Sequence, residues 1–171
     1  MLAAVHKAVG QLIGEGADRL SFPVIAQRAG VNPTTLYRRW DDVDALLEEV
    51  SVAALTGEGD AVPDTGSLEG DLTKWATIVI RDITRPQRTR YLRAMVSARD
   101  DYVLSCPVRE KRREQATEML GRASERGDAT PTVEQILDHV IAPLYYHVTF
   151  ALRVEEDYAS RLVRDVLTMV R

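Results

Sequence analysis

The sequence has little of what marks secreted or membrane proteins. Its single cysteine, Cys106, excludes a framework of intramolecular disulfides, and only 6% of its 171 residues are aromatic. It contains no apolar run of about 18 residues, the length that a membrane helix needs. The N-terminus also lacks the basic-then-apolar pattern of a signal peptide. Together these absences predict a cytoplasmic protein with no membrane partner.

Motifs of common catalytic and metal sites are absent as well. There is no G-x-S-x-G elbow, no H-E-x-x-H, no glycine loop for a phosphate and no His paired with Cys106. His139 and His147 share one predicted helix but point about 80° apart, whereas helical metal ligands are usually three or four residues apart. We therefore expect no enzyme activity, no metal and no cofactor. An all-α enzyme that uses His139 or His147 is the alternative.

The chain does show helical periodicity from end to end. Alternating β patterns and Asn-Gly hairpin signals are missing, which predicts an all-α protein of about nine helices. Pro143 is expected to kink the penultimate helix, because proline removes one backbone hydrogen bond. A stretch rich in Gly, Pro and acid, 57–67, predicts a boundary between domains 1–56 and 57–171. The predicted helices are Leu2–Ile13, 21–29, Pro33–Trp40, Val43–Thr56, Leu68–Thr84, Gln87–Ala98, Pro107–Arg126, Val133–Arg153 and Glu156–Val170.

One stretch, SFPVIAQRAGVNPTTLYRRW at 21–40, has a local positive charge although the formal net charge of the chain is −4. It contains no acidic residue, and its cations are Arg28, Arg38 and Arg39. Capping residues followed by prolines, with Gly30 between them, predict two short helices around a tight turn. Such a pair suits a helix-turn-helix, whose second helix enters the major groove of DNA. A surface hairpin with merely solvated arginines is the alternative.

The residues of this stretch resemble a known family. IAQRAGVNPTTLYRRW followed by DDVDALLEEV is similar to the signature of the TetR family of bacterial transcriptional regulators. LAAVHKAVGQLIGEGADRLSF resembles that family's first helix, and DTGSLEGDL and APLYYHVTFAL resemble a C-terminal ligand-binding domain common among actinobacterial members. The resemblance covers nearly the whole chain. It implies a three-helix DNA-binding domain over 1–56 and a helical ligand-binding and dimerisation domain over 57–171.

The family resemblance also implies a function. The expected protein is a transcriptional regulator, most often a repressor, that binds a near-palindromic operator in double-stranded DNA as a homodimer. A small-molecule effector, whose identity the sequence leaves open, would release it from DNA. A helical protein-interaction module that has lost DNA binding is the alternative.

By position, the resemblance assigns DNA contacts to a defined set of residues. Those closest to bases would be Pro33, Thr34, Tyr37 and Arg38. Phosphates would be contacted by Thr35, Arg39 and the backbone amides at Ser21–Phe22, since helix N-termini attract anions. For Tyr37 the resemblance leaves both roles open, a base contact or a phosphate contact.

The sequence departs from the family at three places. Pro23 and Val43 replace basic residues that usually hold phosphates, and the basic arm before the first helix is missing. Either the protein binds the DNA backbone with fewer phosphate contacts, or residues that precede this numbering are lost.

Two further sets of residues are predicted for the C-terminal part. An apolar pocket for the effector would be lined by Trp75, Val79, Met95, Met119, His139, Tyr146 and Phe150, although spacing alone also fits core residues. The last two helices carry more apolar surface than a small core absorbs, which predicts a homodimer. Its interface would comprise Ile136, Val140, Leu144, Val148, Leu162, Val166 and Met169.

Overall fold

A computed structural model describes residues 1–17, 20–55, 61–97 and 106–170. Within these ranges the chain forms nine helices and no strand, which confirms the all-α prediction. None of these helices is long and apolar enough to cross a membrane. They are α1 (Leu2–Glu15), α2 (Phe22–Ala29), α3 (Pro33–Tyr37), α4 (Val43–Leu55), α5 (Leu68–Ile83), α6 (Pro86–Ser97), α7 (Pro107–Glu125), α8 (the consecutive segments Val133–Ile136, Leu137–Ile141 and Ala142–Thr149) and α9 (Tyr158–Leu167).

The helices form two compact units. The first unit, here called the N-terminal unit, contains α1 to α4 together with α6. Helix α6 packs on α1 and α4, although the sequence places it well beyond the predicted boundary at 56/57. That domain boundary stays a prediction, whereas the packing groups α6 with the first four helices. The core of the unit comprises Val5, Val9, Leu12, Ile13, Phe22, Ile25, Ala26, Leu36, Trp40, Leu46, Leu47, Val50 and Tyr91.

A close approach of side chain to backbone joins α1 to α6. A Cβ added at Gly10 would overlap the hydroxyl oxygen of Tyr91, and the next atom, Cζ of that ring, would lie 3.5 Å away. Four residues further along α1, the guanidinium of Arg90 donates a hydrogen bond to the carbonyl of Gly14. Glycine at position 10 therefore lets the two helices pack at this distance.

The second unit, here called the C-terminal unit, contains α5 and α7 to α9. Its centre is α5, which contacts α7, α8 and α9. The buried indole of Trp75 donates a hydrogen bond to Oε1 of Gln115 at 3.0 Å, and Arg112 donates to the same oxygen at 2.8 Å. This polar group lies among buried apolar side chains of the same unit.

Helix α8 contains a π-helical segment, Leu137–Ile141, directly before Pro143. A proline ring clashes with the carbonyl four residues earlier in an α-helix, and its nitrogen cannot donate to that carbonyl. A wider turn relieves both problems, so the helix continues through Pro143 as far as Thr149. The predicted extension to Arg153 is wrong: Ala151 has a positive φ of 55°, which a helix does not accept.

Candidate nucleic-acid interface

Helix α2 provides the first side of the interface. Ser21 has an extended backbone at the N-cap, and Pro23 occupies the first turn, where a missing N–H costs little. Gly30 ends the helix with φ 68°, in the left-handed region that favours glycine. The Phe22 side chain is only 3% exposed, so this residue presents its backbone rather than its ring to the surface.

Helix α3 provides the second side. The Asn32 side chain caps it by accepting a hydrogen bond from the Thr34 amide at 2.9 Å, and Leu36 is fully buried beneath it. The helix ends at Tyr37, so the predicted extension to Trp40 is wrong. Arg38 and Arg39 follow in a turn, because the chain bends to bury Trp40. The residues predicted to contact bases, Pro33, Thr34, Tyr37 and Arg38, are all exposed, and Thr35 is half-buried.

A carboxylate on α4 holds the turn after α3 in place. Glu49 accepts hydrogen bonds from the Trp40 indole at 2.9 Å and from His6 at 2.9 Å, and it lies 3.8 Å from a guanidinium nitrogen of Arg39. Burial raises the pKa of Glu49, but the two hydrogen bonds and the charge of Arg39 outweigh it, so the pKa is lowered. Arg39 also stacks over the Trp40 ring at 5.1 Å. No pattern in the sequence indicates this role for Glu49.

The three arginines of the stretch have different surroundings. Arg28 forms two hydrogen bonds, at 2.8 and 2.9 Å, with the carboxylate of Glu15 at the end of α1. That hydrogen-bonded pair raises the pKa of Arg28 and lowers the pKa of Glu15. Arg28 therefore adds little to the positive surface, which rests on Arg38 and Arg39.

Two residues at the start of α4 have structural roles. Val43 packs against the core of the N-terminal unit from the first position of α4. Asp42 accepts a hydrogen bond from the Ala45 amide at 2.7 Å, as an N-cap residue does. Asp42 thus caps α4, and Val43, at the position where the family usually has a basic residue, contributes to packing instead.

The structure separates the seven predicted pocket residues. Trp75, Val79 and Met119 are buried in the C-terminal unit. His139 and Tyr146 on α8, and Phe150 directly after it, are instead exposed, so their place in an effector pocket stays a prediction. The Met95 side chain lies outside what the structure describes. Within the described ranges, no cluster of His, Cys, Asp and Glu suits a metal ion.

The residues predicted for the dimer interface are mostly buried. Five of them are buried within the C-terminal unit itself and so cannot reach a partner: Ile136, Val140, Leu144, Val148 and Val166. Leu162 is half-buried, and Met169 is exposed. The two faces of α8 therefore differ in burial. Both carry apolar residues at helical spacing, and only the packing against α5 and α9 decides which one is inside.

A short exposed helix, α3, that packs on α2 after a tight turn at Gly30 is the arrangement of a helix-turn-helix, whose second helix binds the major groove of DNA. Residues 5–50 match the family model for bacterial regulatory proteins of the tetR family, and residues 62–166 match the tetracyclin repressor-like C-terminal domain. The chain belongs to the TetR family of DNA-binding transcriptional regulators.

Individual relatives agree with this assignment. The chain is 30% identical over 98% of its length to the DNA-binding transcriptional repressor TetR of Mycobacteroides abscessus, of which it covers 92%. It is 32% identical over 71% of its length to the regulator AqdR of Rhodococcus erythropolis, and that match spans 60% of AqdR. Among solved structures, the TetR family transcription regulator SCO0332 is 29% identical and superposes with a TM-score of 0.69. The superposition covers 99% of this chain and 97% of the SCO0332 chain.

Proposed function

We propose that the protein is a ligand-responsive repressor that binds a near-palindromic operator as a homodimer in the cytoplasm. The observation that carries the DNA-binding part is the surface of α3, where Pro33, Thr34, Tyr37 and Arg38 are exposed above the buried Leu36. The relative from M. abscessus, of which the chain covers 92%, is named a repressor, which supports repression rather than activation. A two-fold axis would place two α3 helices about 34–36 Å apart, on successive major grooves.

The DNA contacts can be tested with two arginine variants. A duplex is first selected by the purified protein from a randomised library, and its affinity is compared with that of a random duplex across a salt series. Arg38→Ala should relax base preference. Arg39→Ala should weaken both duplexes and reduce the salt slope by about 1, as the loss of one phosphate contact does. Equal losses on both duplexes for both variants would refute these roles.

The exposed apolar residues of the C-terminal unit support the homodimer. Tyr146 on α8 and Phe150, which directly follows that helix, are 56% and 63% exposed, with ring centroids 4.8 Å apart. Leu152 and Met169 are also exposed. Apolar groups of this size on a surface mark interaction sites, and a symmetric partner would bury them.

The dimer can be tested by placing a charge on this surface. Phe150→Glu should shift the protein to a monomer in analytical ultracentrifugation, because a carboxylate would be desolvated in the interface. Val96→Glu is the matched control, since Val96 is 49% exposed on α6 of the other unit. A dimer that withstands Phe150→Glu would place the interface elsewhere.

The effector site is proposed around the buried residues of the predicted pocket. Trp75, Val79 and Met119 are buried apolar side chains, and Gln115, which accepts from the Trp75 indole, adds a polar group beside them. Small-molecule sites combine these two features. The effector must bind the DNA-incompetent state better, and the coupling is reciprocal, so operator DNA should weaken effector binding by the same factor.

Trp75 offers a direct assay for this site. The chain has two tryptophans, so Trp40→Phe leaves Trp75 as the only indole. A library of small metabolites is screened for changes in Trp75 fluorescence in this variant, and each hit is then tested with the wild-type protein for release of the selected duplex at fixed salt. A compound that binds tightly near Trp75 and leaves DNA affinity unchanged would contradict the switching mechanism while leaving DNA binding intact.

A further inference from the structure

The side chain of Phe22 makes a contact that its place in the core does not require. Its ring meets the ring of Tyr37 with the centroids 4.8 Å apart and an interplanar angle of 82°. Phe22 is 3% exposed, whereas Tyr37 is 60% exposed on the DNA-facing side of α3. A buried ring on α2 therefore supports an exposed ring on α3.

This contact has a defined geometry. Edge-to-face pairs are favoured because the positive edge of one ring meets the negative face of the other. The preference changes the population of one side-chain arrangement by roughly 2- to 12-fold. An aliphatic residue of similar size would fill the core equally well but would not select one orientation of the neighbouring ring.

The position of Tyr37 makes such support necessary. It is the last residue of a helix of five residues, and the turn that follows bends away to bury Trp40. An exposed tyrosine on a regular helix samples several rotamers, each of which directs the hydroxyl to a different place. A phenol hydroxyl both donates and accepts hydrogen bonds, so its location decides which base edge it can meet in a major groove.

We propose that Phe22 is a positioning residue for DNA specificity, acting through Tyr37. This proposal rests on the proposed DNA-binding function. The Phe22 ring fixes the Tyr37 ring so that the hydroxyl is presented to one base pair, and the protein thereby distinguishes its operator from other DNA. Phe22 itself touches no base. Its backbone remains at the start of α2, and its side chain acts on base recognition from beneath the surface.

The test uses the full-length protein and two DNA probes. These are a duplex selected by the wild-type protein from a randomised library and a random duplex of equal length. Phe22→Leu should lower the ratio of selected to random affinity by about 2- to 12-fold, with the salt slope unchanged. Tyr37→Leu, at an exposed position that tolerates substitution, should lower the ratio at least as much. Combining Phe22→Leu with Tyr37→Leu should cause no further loss.

A purely structural role for Phe22 gives different results. Phe22→Leu would then weaken binding to both duplexes alike, or its loss of specificity would persist undiminished when Tyr37→Leu is also present. Either result overturns the proposal. If Phe22→Leu fails to fold, the test uses Tyr37→Leu alone. A ratio of selected to random affinity in Tyr37→Leu that equals the wild-type ratio overturns the proposal. A wild-type protein that selects no duplex at all would instead refute the DNA-binding function itself.

A measurement without DNA checks the same mechanism. In the wild-type protein, the ring current of Phe22 should displace the Tyr37 ring-proton resonances from their values in a disordered peptide. In Phe22→Leu these resonances should return toward those values, while resonances of Leu46 and Val50 on α4 keep their wild-type shifts. Tyr37 resonances that are the same in both proteins would show that Phe22 does not hold the ring.

Discussion

Replacing Gly10 by alanine tests how closely α1 and α6 pack. Alanine is a better helix former than glycine by about 1 kcal/mol, so the substitution alone favours α1. The added Cβ, however, would overlap the Tyr91 hydroxyl, and Tyr91 is buried. Inserting one carbon into a packed core costs about 1–3 kcal/mol. We expect a net loss of up to about 2 kcal/mol in the free energy of unfolding.

The sign should reverse when the hydroxyl is removed. In a Tyr91→Phe background, the nearest remaining atom to the new Cβ is the ring Cζ at 3.5 Å, an ordinary contact. Gly10→Ala should then stabilise the protein by about 1 kcal/mol, because only the helix preference of alanine remains. One substitution is thus expected to have opposite effects in two backgrounds that differ by one oxygen atom.

Urea unfolding measures this difference in four proteins: wild type, Gly10→Ala, Tyr91→Phe and the double variant. Trp40 lies in the same unit, and its fluorescence reports that unit alone when every protein also carries Trp75→Phe. The double variant, Gly10→Ala with Tyr91→Phe, is compared with Tyr91→Phe alone. If Gly10→Ala is equally destabilising in both backgrounds, the hydroxyl contact is not what excludes a side chain at position 10.

Three further predictions concern the DNA-binding surface. Asn32→Ala should lower the free energy of unfolding by about 1 kcal/mol through loss of the α3 cap, whereas Asn32→Asp keeps an acceptor and should stay near wild type in the same urea assay. Arg28→Ala should leave the salt slope of DNA binding unchanged, because that guanidinium is paired with Glu15; a slope reduced by about 1 would show that it contacts a phosphate. Glu49→Gln should remove the part of the pH dependence of folding stability that the Glu49 carboxylate causes. Because the folded-state pKa of Glu49 lies below its ordinary value of 4.5, the extra stability exists above that pH and is lost as the pH falls below it. The urea midpoints of the wild type and Glu49→Gln should therefore converge as the pH is lowered. A difference between the two midpoints that stays constant with pH would contradict the role of ionised Glu49.

Local signals in the sequence predict helix starts better than helix ends. Asn32 before Pro33 marks the start of α3, because a cap and a preset φ act within one turn. The predicted end lies three residues too far along the chain, since nothing local forbids helix through Arg38 and Arg39. The burial of Trp40 and its hydrogen bond to Glu49 end the helix, and both depend on α4.

The candidate site was predictable to the same extent. The exposed face of α3 follows from helical spacing alone, once Leu36 is taken as the buried side. The Phe22 ring, the Glu49 carboxylate and the pairing of Arg28 with Glu15 required knowledge of which helices meet. Contacts across helices of this kind leave no periodic trace in the sequence.

The π-helical segment of α8 has a consequence for how its spacing should be interpreted. Ile136, Val140, Leu144 and Val148 are all buried, and each follows the previous one by four residues. In a regular α-helix such a row drifts by about 40° per step and would leave the core within a few turns. A wider turn at Leu137–Ile141 offsets part of that drift. A strict four-residue apolar repeat that contains a proline therefore indicates local unwinding of the helix, and the same combination can be sought in the sequences of other helical proteins.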